Sequence, residues 1–177
     1  MNRSTQQDAE CLVSLLHGLR RVVIALSGGV DSSVVAAACQ RAKLDFVCAL
    51  TAQSPSVPQW QLETAVGIAN EIGIDHHVVR TGEVDRLDYQ RNDSNRCFYC
   101  KDTLYAAISQ FIHERSFSGD AEVTVVSGTN ADDLGDHRPG IAAGQRWQVV
   151  APLAEAGLSK SRVRNLARYF GLSNHEL

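Results

Sequence analysis

Apolar and polar positions along the chain switch between a helical and an extended period, which predicts helices alternating with strands. The segment 5–19 places four leucines on one helical face. The run RRVVIAL at 20–26 that follows is almost continuously apolar, as is typical of a strand buried on both faces of a sheet.

The same pattern continues to the C-terminal part of the chain. Further helices are predicted over 32–41, 58–72, 98–114 and 159–170, and further strands over 46–50, 74–79, 122–126 and 147–150. The polar segments 81–95 and 127–140 are predicted to be loops, the first of them a mobile loop over the carboxyl edge of the sheet. This alternation predicts an α/β fold with five parallel strands and helices on both faces.

Composition indicates one globular domain. The chain has 177 residues, 44% hydrophobic and 21% charged, with a formal charge of −3. This balance argues against nucleic acid as a partner. The polar start of the sequence and the lack of a long apolar run predict a cytoplasmic protein with no membrane association. Of five cysteines, we expect Cys11, Cys39 and Cys48 to be reduced core residues.

The first predicted strand ends in SGGVDSS, residues 27–33. Two glycines allow the backbone to turn sharply, and Ser32 and Ser33 open a helix whose N-terminal amides attract anions. The loop matches neither GxxxxGK[ST] nor GxGxxG, so it is a third type of phosphate loop. The plain alternative is a helix-capping turn that binds no ligand.

The SGGxDS pattern after a buried strand resembles the PP-loop ATP pyrophosphatases. RCFYCK at 96–101, SGTNADDLGDHRPG at 127–140 and the segment 152–172 are similar, in this order, to the LarE group of ATP-dependent sacrificial sulfur transferases. The resemblance runs from about Leu15 onward. It implies a three-layer α/β sandwich of the HUP or Rossmann-like type, the fold of the adenine nucleotide alpha hydrolases, with five parallel strands in the order 3-2-1-4-5. It also implies ATP and Mg²⁺ as cofactors.

The resemblance also implies an activity. Such an enzyme adenylylates a carboxylate of a pyridinium dicarboxylate mononucleotide, releases pyrophosphate, and replaces AMP with sulfur from its own cysteine, for synthesis of a nickel-pincer cofactor. It further implies a small, carboxylated, nucleotide-like substrate and a homo-oligomer. The residues carried over as nucleotide-binding are Ser27, Gly28, Gly29, Asp31, Ser32 and Ser33 for the phosphates, Thr51 and Ala52 for adenine, and Gly128 for the ribose or α-phosphate.

Charged residues at matching positions are candidates for catalysis and metal binding. The basic candidates, for stabilising charge on the α-phosphate, are Lys101, Arg138 and Lys160. The candidate Mg²⁺ ligands are Asp31, Asp133 and Asp136, with Asp132 beside them. The alternatives stay open: a solvated side chain for each cation, and turn or capping roles for each aspartate.

The match breaks near the end of the chain. In the family, the sulfur-donating cysteine and a second domain follow the helix corresponding to 159–170, and this chain ends at Leu177. We therefore expect a single PP-loop domain over 1–177 that lacks the family's C-terminal domain. Cys97 and Cys100 form a CxxC whose role stays open among structural thiols, redox or cluster chemistry, and direct sulfur donation.

Two other functions remain open from the sequence. One is a different PP-loop amidotransferase or thiolase, in which ammonia or a tRNA would stimulate pyrophosphate release. The other is a truncated, non-catalytic nucleotide-binding module, which would bind ATP without turnover.

Overall fold

The computed structural model describes residues 3–85, 87–90, 96–115, 122–135 and 139–176. The α-helices in these ranges are α1 Thr5–His17, α2 Val30–Arg41, α3 Gln59–Ile72, α4 Leu87–Gln90, α5 Arg96–Glu114, α6 Pro139–Arg146, α7 Pro152–Glu155 and α8 Lys160–Phe170. The strands are β1 Arg21–Ala25, β2 Phe46–Gln53, β3 Asp75–Arg80 and β4 Thr124–Val126. Residues Glu83–Asp85 and Ala131–Gly135 form 3₁₀ turns.

The four described strands form one parallel sheet in the order β3-β2-β1-β4. Val23 lies at the centre of β1, opposite Cys48 on β2 and Val125 on β4. The order predicted for the first four strands is therefore confirmed. Because the strands are parallel, their carboxyl ends meet at one edge, where open α/β sheets bind ligands.

The prediction of a fifth strand over 147–150 is wrong. Val150 makes one isolated parallel bridge to Val126, in which its N–H donates to the Val125 carbonyl at 2.9 Å. The extended run is short because a turn with Gln148 at φ 53° precedes it and Pro152 begins α7 directly after it. Too few residues remain between these two elements to build a ladder.

Helices cover both faces of the sheet, which confirms the three-layer arrangement. Val22 and Ile24 of β1 pack in a core shared with α1, α2, α3 and α8. Val23, between them, packs in a second core with α5 and α6. This alternation gives β1 its nearly continuous apolar sequence, because each face of the strand is buried under a helical layer.

Helices α1 and α8, which cover the same face of the sheet, are also joined by a buried ion pair. Asp8 of α1 is 3% exposed, and both its carboxylate oxygens accept hydrogen bonds from the Arg162 guanidinium of α8. Arg3 lies 3.0 Å from the same carboxylate. Burial of a carboxylate is tolerated here because two guanidinium groups compensate it.

Both segments predicted as loops contain helical turns. In 81–95, the turn Glu83–Asp85 and helix α4 occupy the described residues, and residues 86 and 91–95 lie outside the described part of the chain. Tyr89 is buried, and the Arg96 guanidinium lies 4.5 Å from its ring centroid. Tertiary contacts thus support helical turns in a stretch whose sequence has no helical period. The mobility expected for this segment stays a prediction.

The segment 127–140 likewise contains the turn Ala131–Gly135 and the start of α6, and the sequence did not predict α6 or α7. Both helices are short, and the glycine and proline content of α6 obscures its period. Ala143 of α6 is buried in the core that α5 shares with the sheet. Packing against α5 therefore supports a helix that local propensity disfavours.

The cysteines expected in the core are largely there. Cys39 and Cys48 are buried, and Cys11 is half-buried against the first core. Burial raises the pKa of the Cys48 thiol to about 12, with a smaller contribution from the charge of Asp75. Of the helices that the structure describes, none is long and apolar enough to cross a membrane.

The loop after β4 approaches the start of α2 very closely at Gly128. A Cβ atom on Gly128 would lie 2.5 Å from the Ser32 nitrogen and 2.9 Å from the Asp31 carbonyl carbon. Both are backbone atoms held by the helix, so neither can move aside as a flexible side chain would. Glycine at this position brings the β4 loop and the glycine loop together at one edge of the sheet.

We expect Gly128→Ala to lower the free energy of unfolding by about 1–3 kcal/mol, as overpacking does in well-packed sites. Gly67→Ala is the matched control, because a Cβ at Gly67 in α3 meets no described atom within 4 Å. The control should raise stability by about 0.5–1 kcal/mol through helix propensity. Urea denaturation of both variants measures the difference, and equal midpoints would contradict the close approach.

Candidate functional site

Two adjoining cavities open at the carboxyl edge of the sheet, of about 200 and 210 Å³. The loop cavity is lined by Ser27, Gly29, Asp31, Ser32, Gly128 and Asp133. The side cavity is lined largely by apolar groups, and its lining includes Leu26, Thr51, Ala52, Val57, Thr81 and Glu83. Ala25, Ser27, Lys101 and Leu104 line both cavities.

The two glycines of the loop after β1 have different structural requirements. Gly28 has φ 80°, and a Cβ there would lie 3.0 Å from the backbone of α3 at Gln61 and Ala65. Gly29 has an ordinary φ of −73° and room for a Cβ beside Ser27. The fold itself therefore demands glycine at 28, whereas the space at 29 faces the loop cavity.

Hydroxyl groups hold the carbonyl of Gly29 on the helix side of the loop. Ser32 Oγ and Ser33 Oγ each donate to this carbonyl at 3.0 Å. Ser32 Oγ also accepts from the Ser27 N–H at 3.2 Å. No side chain in the described structure caps the N-terminus of α2, so its positive end remains for an anion.

Asn174, a residue that the sequence did not single out, fixes the neighbouring carbonyl. Its buried side-chain amide donates to the Gly28 carbonyl at 2.7 Å and to Ser33 Oγ at 2.9 Å. Nothing in a GLSN sequence signals this contact, because Asn174 and Gly28 are distant in sequence and meet only in the folded chain. Asn174 thus links the end of the described chain to the glycine loop.

Asp31 and Lys160, predicted for different roles, form an ion pair. Lys160 Nζ lies 2.6 Å from Asp31 Oδ2, and both side chains are partly exposed. The backbone N–H of Lys160 donates at 2.8 Å to Asp132, which therefore serves the start of α8. A cation so close to Asp31 reduces the repulsion between this carboxylate and a phosphate.

Asp133 lines the loop cavity and also stabilises its own turn. Its Oδ2 accepts from the Asn130 N–H at 3.0 Å, and Asn130 Oδ1 in turn accepts from the Asp132 N–H at 2.9 Å. Among residues 3–85, 87–90, 96–115, 122–135 and 139–176, no group of three or more His, Cys, Asp or Glu side chains is arranged to hold a metal. Asp136 and Arg138 lie outside these ranges.

Thr51, a buried residue that lines the side cavity, is held by two hydrogen bonds. Its hydroxyl donates to the Leu26 carbonyl at 2.8 Å and lies 2.8 Å from His76 Nε2, which must then donate to it. Burial lowers the pKa of His76, and the charge of neighbouring His77 lowers it further. His76 is not among the residues that line the two cavities, and it contacts the site through Thr51. No sequence signal predicts this contact, because Thr51 lies on another strand.

Lys101 of α5 lines both cavities, and Tyr105 of the same helix lines the loop cavity. The stem of Lys101 passes over Gly140, where an added Cβ would come within 2.9 Å of Lys101 Cδ. Burial raises the pKa of Tyr105 to about 12, partly offset by a hydrogen bond with Ser127. The tyrosine is therefore a neutral hydroxyl beside a cationic lysine.

The CxxC motif lies at the start of α5. Cys97 is exposed, and Cys100 is half-buried and lines the side cavity. Burial raises the pKa of the Cys100 thiol, and the charge of Glu83 raises it further. Both effects disfavour the thiolate, which is the nucleophilic form of cysteine.

The structure thus brings most predicted site residues to one edge of the sheet. Those lining a cavity are Ser27, Gly29, Asp31, Ser32, Thr51, Ala52, Lys101, Gly128 and Asp133. Gly28 and Ser33 belong to the same loop but are not among the residues that line the two cavities. Lys160 contacts the site through its ion pair with Asp31. Their roles toward a ligand stay predictions.

Sequence comparison finds relatives that match most of this chain. The chain is 38% identical to an uncharacterized protein of Synechocystis sp., over 94% of this chain and 60% of that protein. It is 28% identical to the pyridinium-3,5-bisthiocarboxylic acid mononucleotide synthase of Lactiplantibacillus plantarum, over 92% of this chain and 58% of the relative. This chain therefore spans about three-fifths of the length of these relatives.

Solved structures share the fold. An NMN synthetase from Francisella tularensis superposes with a TM-score of 0.74 at 20% identity, covering 99% of this chain and 75% of that one. An NH3-dependent NAD synthetase from Campylobacter jejuni gives 0.72 at 19% identity, covering 97% and 76%. A family model described as NAD synthase matches residues 12–175. This chain, with its glycine loop at the edge of a parallel sheet, belongs to the NAD synthase family within the PP-loop superfamily.

Proposed function

We propose that this chain binds ATP with the base in the side cavity and the phosphates in the loop cavity, and transfers the adenylyl group to a substrate carboxylate. One observation carries the proposal: a largely apolar cavity adjoins a cavity whose lining includes charged and hydroxyl side chains, and the two share Lys101 beside the glycine loop. A nucleotide needs both environments side by side. In the transfer, a carboxylate oxygen attacks the α-phosphorus, and pyrophosphate leaves with the electrons of the broken P–O bond.

The loop backbone supports phosphate binding through the direction of its dipoles. The Gly28 and Gly29 carbonyls are occupied by Asn174 and by the two serine hydroxyls. Since each peptide unit points its carbonyl and its N–H in opposite directions, fixing the carbonyls behind the loop orients the amides toward the cavity. Oriented amides at a helix N-terminus form an anion site.

Lys101 is the cation best placed for catalysis. Its side chain lines both cavities, and we place its charge where the base side and the phosphate side of a nucleotide would join. The α-phosphate, which is the reacting centre, occupies that junction in the proposed pose. A fixed positive charge there stabilises the charge that develops during attack, typically the largest single catalytic effect.

Members of this family use ATP, typically with Mg²⁺. Asp31 and Asp133 fit this ion, because both residues line the loop cavity and Mg²⁺ prefers oxygen ligands. Phosphate and water oxygens would complete its coordination. Bound Mg²⁺ supplies positive charge against the phosphates. Lys160 Nζ compensates part of the charge of Asp31, whose Oδ2 lies 2.6 Å away. Asp136 and Arg138 stay predicted contributors to the same site.

The resemblance to the LarE group supports a finer proposal for the acceptor. The relative from L. plantarum is named for a pyridinium bisthiocarboxylic acid mononucleotide, so we assign this chain a small, carboxylated, nucleotide-like acceptor. In this scheme, sulfur replaces AMP at the activated carboxyl carbon. The raised pKa of Cys100 weighs against Cys100 as the nucleophilic sulfur donor.

Amide formation is the second candidate. Over 62 residues the chain is 38% identical to the NH(3)-dependent NAD(+) synthetase of Wolinella succinogenes, covering 35% of this chain. In that case ammonia would attack the activated carboxyl group in place of sulfur. The adenylylation step is common to both candidates, so the acceptor and the nucleophile distinguish them.

Adenylylation predicts a specific set of products. With ATP and Mg²⁺, the protein should form AMP and pyrophosphate in equal amounts when a pyridine mononucleotide carrying a ring carboxylate is supplied. The same mononucleotide without the carboxylate is the control and should give neither product. Chromatography of products labelled at the α- and γ-phosphates measures this. ADP and phosphate would contradict adenylylation, stimulation by ammonia would favour the amide reaction, and ATP binding without turnover would favour a non-catalytic module.

Asn174 should affect the affinity for ATP only by holding the glycine loop in place. Asn174→Ala removes the hydrogen bond to the Gly28 carbonyl, and we expect about tenfold weaker ATP binding as the loop loses its fixed orientation. Ser173→Ala is the matched control, because the Ser173 hydroxyl donates to Glu71 at 2.6 Å and not to the loop. Calorimetry gives both affinities. Equal affinity of the two variants would show that Asn174 does not orient the loop.

Lys101→Met should keep the packing over Gly140 and remove the charge. We expect kcat for pyrophosphate release to fall about 10²–10³-fold, with a smaller change in KM. Lys43→Met is the control, since Lys43 is exposed on the turn after α2. Steady-state kinetics separates the two parameters. A rise in KM with unchanged kcat would assign Lys101 to ground-state binding instead.

A further inference from the structure

Glu83 is a buried carboxylate with one oxygen left unsatisfied. It lies in the 3₁₀ turn after β3, is 2% exposed, and lines the side cavity. Its Oε1 accepts hydrogen bonds from the hydroxyls of Ser54 and Ser56, the latter at 2.5 Å. Its Oε2 is buried and has no hydrogen-bond partner among the described residues.

The carboxylate is charged at neutral pH. Burial alone would raise the pKa of Glu83, but the hydrogen bonds from Ser54 and Ser56, together with smaller contributions from Thr81 and the backbone at Glu83, outweigh it and lower the pKa. Thr81 lies close enough to contribute, although its Oγ1 does not reach hydrogen-bonding geometry. A buried anionic oxygen without a donor is costly, so its presence points to a donor supplied from the cavity.

Thr81 adds a second polar atom to the same wall. Its Oγ1 is also buried without a partner within the described part of the chain, and it also lines the side cavity. The cavity is otherwise enclosed largely by apolar side chains such as Leu26, Val57 and Leu104. Largely apolar walls with a fixed acceptor at Glu83 and an adaptable hydroxyl at Thr81 suit a flat ring that carries a donor group beside an acceptor.

We infer that Glu83 Oε2 accepts a hydrogen bond from the exocyclic amine of adenine, with Thr81 at the neighbouring ring nitrogen, and that this contact selects ATP over nucleotides with a 6-oxo group. The inference rests on the proposed function, which places the base in this cavity. Adenine presents an amino donor next to an unprotonated ring nitrogen. Hypoxanthine and guanine present a carbonyl at the same ring position, which the carboxylate repels.

Glu83→Gln tests the contact with little change in shape. The glutamine carbonyl oxygen still accepts from Ser54 and Ser56, and its amide group then faces the cavity as a donor. We expect ATP affinity to fall about tenfold to a hundredfold, since a hydrogen bond to a charged group is lost. ITP affinity should rise, because the new amide donates to the 6-oxo group, so the preference for ATP shrinks or reverses.

Two controls isolate the amine. Glu63→Gln removes the same charge from an exposed position on α3 outside the cavities, and it should leave the ATP to ITP ratio unchanged. The triphosphate of purine riboside, which lacks the 6-amino group, should bind wild type and Glu83→Gln about equally. Calorimetry measures all affinities, and thermal unfolding confirms that each variant is folded.

The outcomes separate this inference from the proposed function. If wild type fails to bind ATP, the proposed function is wrong. If wild type binds ATP while Glu83→Gln leaves the ATP to ITP ratio unchanged, or weakens the purine riboside analogue as much as ATP, the proposed function stands and the contact between Glu83 and the amine is overturned.

Discussion

The orientation of two peptide carbonyls in the glycine loop is the constraint on which the site depends. Gly28 turns the chain off β1 at φ 80°, and the carbonyls of Gly28 and Gly29 then point into the protein, where Asn174, Ser32 and Ser33 bind them. A loop held from behind keeps its amide dipoles in place before any ligand arrives. Such preorganised dipoles need no rearrangement when a phosphate binds, which is why they stabilise charge effectively.

Gly128 extends this constraint to the other side of the cavity. Because it carries no side chain, the loop after β4 reaches the backbone of α2 at Asp31 and Ser32. Asp133 and Ser127 then line the same cavity as the glycine loop. One close backbone contact therefore determines the width of the site, and the parallel order of the strands determines its location at the carboxyl edge.

Within the part of the chain that the structure describes, the carboxylates with little or no exposure are compensated, with the exception of Glu83. Asp8 is paired with Arg162 and Arg3, Asp31 with Lys160, and Asp102 accepts from Trp147 Nε1 at 2.9 Å. Glu83 differs, because hydroxyls satisfy only one of its oxygens. Among the described buried carboxylates, an unpaired oxygen on a side chain that lines a cavity indicates ligand binding more than structural need.

The sequence by itself determined the α/β class and the position of the glycine loop after β1. These follow from local signals, since a doubly buried strand must be apolar throughout and a sharp turn before a helix requires glycine. Only the tertiary structure decided that 147–150 forms no fifth strand, that α6 and α7 are helical, and that Asp31 pairs with Lys160. It alone brought Asn174 to Gly28, His76 to Thr51 and Glu83 to the side cavity. Each of these contacts joins residues far apart in sequence, and their partners are fixed by packing that no local period encodes.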